Sequence, residues 1–247
     1  MAFSYVTVWQ GFSSSFIETA MSFNPLFRDR TEAGEKLAAA VSLEVAKFNE
    51  TLEEKVRPIV YGLPRGGLPI ALPIARQLCC PLDVIVAKKI TRPEHPELAI
   101  GAVTADGHIL WSNQKSRLRV PNTVFQKAQE KAQEKAQAQL MDFSSDRPQI
   151  SPMGALAIIV DDGIATGMTI RVAAQALRLQ EPMAVWICVP VAPLELMECL
   201  SGECDRTIIL ETPDPFFSVS NFYAEFPQVE TEVVIACLQQ QTEWRSI

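Results

Sequence analysis

The stretch Ala155–Thr169, ALAIIVDDGIATGMT, decides how the chain is read. Its first part, Ala155–Val160, is a continuous apolar run, the pattern of a strand covered on both faces in a parallel sheet. Asp161 and Asp162 follow directly, so they sit at the carboxyl end of that strand. Two ionised carboxylates only accept hydrogen bonds, which suits a vicinal diol with two hydroxyl donors. Gly163 and Gly167 open backbone angles closed to other residues and permit close approach of a ligand. Thr166 and Thr169 add hydroxyls, and a helix predicted to begin near Met168 points its free N–H groups back into the loop, an anion site. Acids on one side and an anion nest on the other describe a bound sugar phosphate. A plain strand-to-helix turn accounts for one Asp and one Gly. It does not account for two acids, two glycines and two threonines between a buried strand and a helix start.

Outward from this loop, strand and helix patterns alternate. Asp29, with Glu32 three residues on, predicts a helix start, and Ala33, Leu37, Val41, Val45 and Phe48 then share a face. Pro58–Gly62 is a short strand, Leu68–Leu78 a helix and Leu82–Ala87 a further strand, with Lys88 and Lys89 at its end. Ala99–Val103 and His108–Trp111 flank an Asp106–Gly107 turn. Thr123–Leu140 is rich in KAQE-like units and reads as an outer, solvated helix with a small-residue stripe of Ala128, Ala132 and Ala136. Pro148–Pro152 is a linker. Ala184–Val189 and Arg206–Leu210 are strands, and Glu230–Gln240 is a closing helix. The expected fold class is therefore α/β, a doubly wound, mainly parallel sheet flanked by helices, with ligands at the carboxyl ends of the strands.

The 247 residues, 48% hydrophobic and 21% charged, allow one large core. We expect a single domain over residues 24–247 and an N-terminal arm over residues 1–23 with no assigned function. The first twenty residues hold no Lys or Arg, which argues against a secretory signal and a mitochondrial presequence and favours a cytoplasmic protein. No apolar run reaches membrane-spanning length. A net charge of −7 argues against a nucleic-acid face. Six irregularly spaced cysteines and two histidines offer no zinc pattern, and the cysteines read as reduced core thiols.

A second loop stands in the same position after a strand: Gly62-Leu63-Pro64-Arg65-Gly66-Gly67. Its glycines and proline expose backbone N–H groups, and Arg65 can fork onto phosphate oxygens. Taken alone it reads equally as a tight turn with a solvated arginine.

IIVDDGIATGMT resembles the phosphoribosyl pyrophosphate signature of type I phosphoribosyltransferases. GLPRGGLPIA, AKKITRPEHPELAIGAV and TPDPFFSVSNFYAEF extend that resemblance to a bacterial group of the family whose acceptor its motifs do not fix. The resemblance implies a type I phosphoribosyltransferase fold with a small hood or flap, Mg2+ as cofactor held through substrate and water, phosphoribosyl pyrophosphate and a small-molecule acceptor as partners, and a homodimer as one assembly. Asp161 and Asp162 would bind the ribose hydroxyls. Ala165, Thr166, Gly167, Met168 and Thr169 would wrap the 5-phosphate, and Gly163 and Ile164 would belong to the same ligand-binding loop. Pro64, Arg65, Gly66 and Gly67 would form the pyrophosphate loop, with Arg65 and Lys89 neutralising the leaving group. Thr91–Gly101 would be a flap, in which Glu94, His95 or Glu97 could act in proton transfer. Thr212–Phe226 would either stack on an acceptor base or pack on the core. Ala165 occupies the position where hypoxanthine-guanine enzymes usually place an acid, which argues against a 6-oxopurine acceptor and leaves the general base unassigned. Beside transfer chemistry stand two rival readings, a regulatory binder of the same ligand and, last, a sugar-phosphate hydrolase.

Overall fold

Asp29 opens the first helix by accepting from the Glu32 N–H at 2.9 Å. The Glu32 carboxylate does not return to the cap residue; it accepts from the Arg28 N–H at 2.6 Å, one residue earlier. The computed structural model describes residues 25–92, 95–112 and 122–245, with the backbone alone for residues 92 and 95–97. The expected arm (residues 1–23), Glu94 and the side chains of His95 and Glu97 lie outside the described residues.

In chain order the elements are α1 (Arg30–Asn49), β1 (Pro58–Gly62), α2 (Gly67–Gln77), β2 (Leu82–Val84), β3 (Ala87–Arg92), β4 (His95–Thr104), β5 (Ile109–Trp111), α3 (Asn122–Asp142), β6 (Leu156–Val160), α4 (Met168–Arg178), β7 (Ala184–Val191), α5 (Met197–Ser201), β8 (Arg206–Glu211), α6 (Thr231–Gln240) and α7 (Thr242–Arg245). Five strands form a parallel sheet in the order β2-β1-β6-β7-β8. The run LAIIV is apolar throughout because both its faces are covered. Leu156, Ile158 and Val160 pack with Leu37, Val41, Leu68 and Ile74 of α1 and α2. Ala157 and Ile159 pack with Ile170, Ala173 and Leu177 of α4. From β1 the chain winds outward to β2, then returns to the other side of β1 to form β6. The sheet therefore reverses its winding between β1 and β6, the position at which ligands bind in open α/β sheets.

A second, antiparallel sheet in the order β3-β4-β5 stands apart from the first. Gly107, at φ +93°, makes the predicted turn between β4 and β5. Phe125 and Ala132 of α3 pack on Ile90, Ile100 and Val103 of this sheet. The alanine stripe thus faces inward, with Ala132 and Ala136 buried and only the remaining faces of the helix solvated. His108 of the hairpin meets Gln175 of α4 at 3.0 Å, tying the second sheet to the first layer.

Leu82–Ala87 is not one strand. The backbone leaves the central sheet after Val84, and Ala87 already belongs to the second sheet. Its apolar residues are buried in two places: Leu82, Val84 and Val86 join one core while Ala87 joins the other, and the buried Asp83 between them is paired with Arg147. Lys88 and Lys89 are consequently not at the end of a central-sheet strand; they lie on β3 of the second sheet. Among the described residues no helix is long and apolar enough to cross a membrane.

Candidate active site

The loops after β1 and β6 are built against each other. The Leu63 N–H donates to the Val160 carbonyl at 2.9 Å, and the Gly67 N–H closes the first loop onto the Leu63 carbonyl at 2.9 Å. A Cβ on Gly67 would lie 2.6 Å from the Val160 oxygen, and one on Gly66 would lie 2.0 Å from Asp162 Oδ2. Only glycine fits where the two loops touch. The Pro64–Arg65 peptide bond is cis.

In the second loop, Gly167 adopts φ +72°, the left-handed conformation, and starts α4. The helix is amphipathic, burying Ile170, Ala173, Ala174 and Leu177. Its first-turn N–H groups have no partner within the helix and point toward the loop, where the positive end of its dipole lies. A cleft of ≈ 180 Å³ is lined by Asp161, residues 163–167, Thr169, Ile170, Lys89 and Val219. A slightly larger cavity of ≈ 220 Å³ around Tyr61, Asp83 and Arg147 shares no lining residue with it.

The two acids differ in surroundings. Asp161 accepts from the Asp162 N–H at 2.9 Å. Burial, and then the neighbouring Asp162 charge, hold its carboxyl well above the usual range. Asp162 is also raised by burial, but Arg30 opposes the rise. Arg30 Nε donates to Asp162 Oδ2 at 2.9 Å, and Arg30 Nη1 donates to the Pro227 carbonyl at 2.7 Å. The guanidinium lies 3.7 Å over the Phe226 ring. Tyr223 donates its hydroxyl to the Asp162 carbonyl oxygen at 2.6 Å.

Arg30 and Tyr223 are the site residues that motif reading missed. The signal for Arg30 was present: it falls at the spacing of the buried face of α1, with Ala33, Leu37 and Val41, where a charge requires a partner. Of the aromatics in Thr212–Phe226, Phe222 and Tyr223 are buried, Phe216 and Phe226 pack against the core, and Phe217 is exposed. Val219 covers Gly163, at which a Cβ would meet Val219 methyl carbons at 2.6 and 2.9 Å.

The cations are divided. Lys89 faces the cleft. Lys88, on the opposite face of β3, is half-buried, and burial followed by the charges of Arg65 and Lys135 lowers its pKa. Arg65 does not line the cleft; its Nη1 stands 3.5 Å from Glu230 Oε2. The structure therefore gathers Asp161, Gly163–Gly167, Thr169 and Lys89 in one place. It sets Gly66 and Gly67 behind the acids and leaves Arg65 with Lys88 to one side.

Residues 29–207 match the model of the phosphoribosyl transferase domain family. Two proteins of Mycobacterium tuberculosis, from strains CDC 1551 / Oshkosh and H37Rv, both named "Putative phosphoribosyl transferase", are 34% identical to the chain over 216 residues. The match covers 87% of this chain and 47% of each relative, so the chain spans about half the length of these proteins. The crystal structure of TT1426 from Thermus thermophilus superposes with a TM-score of 0.71 at 31% identity, covering 87% of this chain and 98% of that one. The chain belongs to the phosphoribosyl transferase family, with the type I fold.

Proposed function

We propose that this chain transfers the ribose 5-phosphate of phosphoribosyl pyrophosphate to a nitrogenous small-molecule acceptor and releases pyrophosphate, with residues 24–247 acting as one domain. The observation that supports this best is the shared cleft: Asp161, the first acid of the pair at the carboxyl end of β6, and, six residues on, a left-handed Gly167 that turns the start of α4 toward the same space. The cleft accepts a diol at one end and an anion at the other.

In this reading the Asp161–Asp162 pair fixes the sugar, and Asp161, which lines the cleft, accepts from the ribose hydroxyls. Backbone N–H groups of Ala165–Thr169, with the hydroxyls of Thr166 and Thr169, hold the 5-phosphate. Lys89 on the cleft side and Arg65 beside Gly66 and Gly67 stabilise the departing pyrophosphate as the bond to C1 breaks through an oxocarbenium-like state. The acceptor nitrogen forms the new bond to C1 as the bond to pyrophosphate breaks, and its proton passes to the departing pyrophosphate or to water. The flap hairpin β3–β4 excludes water on closing.

The residues present fit Mg2+ held through substrate. Asp161 lines the cleft and is placed to take the hydroxyl groups of a substrate that would carry the ion, with Asp162 next to it. When bound, Mg2+ supplies positive charge that stabilises the pyrophosphate as it leaves. Ala165, which puts no acid beside the reacting carbon, favours a second reading, a regulatory binder of the same ligand.

Pyrophosphate release measured across a panel of nucleobases and simple amines, with phosphoribosyl pyrophosphate and Mg2+ present, separates the two. Release dependent on one acceptor class supports transfer. Ligand binding with no release on any acceptor supports regulation and contradicts transfer.

A further inference from the structure

The two acids of Asp161–Asp162 do not stand in equivalent places. Asp161 lines the cleft and has no cation within bonding reach among the described residues. Asp162 does not line it, and is held from three sides: by Arg30 Nε on its carboxylate, by Tyr223 on its carbonyl, and by Gly66, packed so close that no Cβ fits. Arg30 is itself fixed. Its side chain is 10% exposed, a second nitrogen is bound to the Pro227 carbonyl, and its plane rests on Phe226. A guanidinium gripped at both edges and one face has little freedom to leave its partner.

We propose that Arg30 is a positioning residue that divides the labour of the diacid: it holds Asp162 as a fixed anion beneath the loops, so that Asp161 is the acid that reports to the ribose hydroxyls. The proposal rests on the sugar-phosphate reading above. It also explains why two adjacent carboxylates coexist at a half-buried turn. Without a cation, the pair would share one proton, as like charges in a low dielectric do. The charged and titratable groups that face Asp162 are Arg30 from α1, Asp161 in its own turn and Tyr223 from the C-terminal segment; Lys89 lies beyond Asp161 at the cleft wall. Among the described residues Arg30 is the cation that bonds to the pair, and it bonds to Asp162. The same arginine joins α1 to the segment ending at Pro227, so the diacid, the first helix and the C-terminal segment meet at one guanidinium.

The test is an NMR titration of the Asp carboxyl carbons in the ligand-free protein, paired with calorimetric titration of phosphoribosyl pyrophosphate in excess Mg2+. In Arg30→Gln the diacid takes up its first proton at a pH higher by roughly 1–3. Ligand affinity of Arg30→Gln then falls below the parent's at pH values under its own uptake, by up to about tenfold for each whole pH step of the shift, and rejoins the parent's above that window. Arg30→Lys restores most of the titration. The ligand's own phosphates titrate identically in every variant, so differences between variants belong to the protein. An unchanged carboxyl titration in folded Arg30→Gln overturns the proposal. So does an affinity loss equal at all pH values, which marks a merely structural residue. Should Arg30→Gln fail to fold, Asp162→Asn removes the anion that Arg30 serves: Asp161 then titrates lower, and an Asp161 titration that does not move overturns the proposal. If the wild-type protein takes up no phosphoribosyl pyrophosphate, the proposed function fails while the ligand-free titration still decides the part of Arg30.

Discussion

The loop Asp161–Thr169 and the strand bearing Lys88 and Lys89 border the same cleft but rest on different foundations. The loop grows from β6, a central strand buried on both faces, and is braced by the Leu63–Val160 hydrogen bond, by Tyr223 and by Arg30. The lysines ride on β3 of a three-stranded sheet whose ties to the main layer include the His108–Gln175 contact and the packing of Ala102 and Leu110 against the α4 cluster. Groups that must recognise a fixed part of a substrate gain from the first arrangement, because their rotamers are locked before binding. In the proposed function, groups that close over a leaving group belong on the second, which stands outside the central sheet. Recognition would then fall to the braced loop and closure to the smaller sheet.

The strongest way to break this comparison is to disturb the braced side. Gly66→Ala places a methyl 2.0 Å from Asp162 Oδ2, so either the loop or the acid must shift. We expect a loss of about 1–3 kcal/mol of folding stability, read by chemical denaturation, together with loss of phosphoribosyl pyrophosphate binding. The backbone of Gly66 is ordinary right-handed helix, so the effect is steric. Lys89→Gln, on the flap side, should leave the folding stability within about 0.5 kcal/mol of the parent. It should weaken ligand binding by roughly tenfold, the worth of one charge-assisted contact of about 1.5 kcal/mol. Lys88→Gln relieves repulsion with Arg65 and Lys135, and we expect a smaller loss of affinity than for Lys89→Gln in the same calorimetric titration.

A pH series sharpens the same contrast. Asp161 has a raised carboxyl pKa in the folded protein, so the folded state favours its protonated form. Its contribution to stability therefore falls as pH rises from the ordinary carboxylate range through the raised value. Phosphoribosyl pyrophosphate affinity should move the opposite way, rising over that window as the acid becomes an acceptor. Denaturation and calorimetry from acid to neutral pH check both signs. The smallest expected effect is that of His108→Ala. It deletes the 3.0 Å contact with Gln175 and should cost about 1 kcal/mol, with faster hydrogen exchange in β4 and β5 and unchanged exchange in β6.

Much of this architecture is legible in the sequence. Pro58–Gly62 is observed with the bounds its pattern predicts, and the helix expected near Met168 begins there because Gly167 takes the left-handed angle that ends the loop. Loop positions announce themselves because glycine, proline and paired acids are costly anywhere else. Leu82–Ala87 shows the limit: burial makes a run apolar, but does not say whether one sheet or two bury it. The same limit misplaced Lys88 and Lys89. The partner of Arg30 and of Tyr223 is hidden for another reason, although Arg30 itself shows as a charge on the buried face of α1. Each meets Asp162 from far along the chain, 132 and 61 residues away, and no local pattern encodes a contact at that separation.

The central claim is that the diacid loop binds phosphoribosyl pyrophosphate through Asp161. Thermal stabilisation of the wild-type protein and of Asp161→Asn by this ligand, with and without Mg2+, tests it most directly. At a hundredfold excess over the dissociation constant the wild type should gain about 2.7 kcal/mol, with the larger part requiring Mg2+, while Asp161→Asn gains little. No stabilisation of the wild type, or equal stabilisation of both proteins, would contradict it.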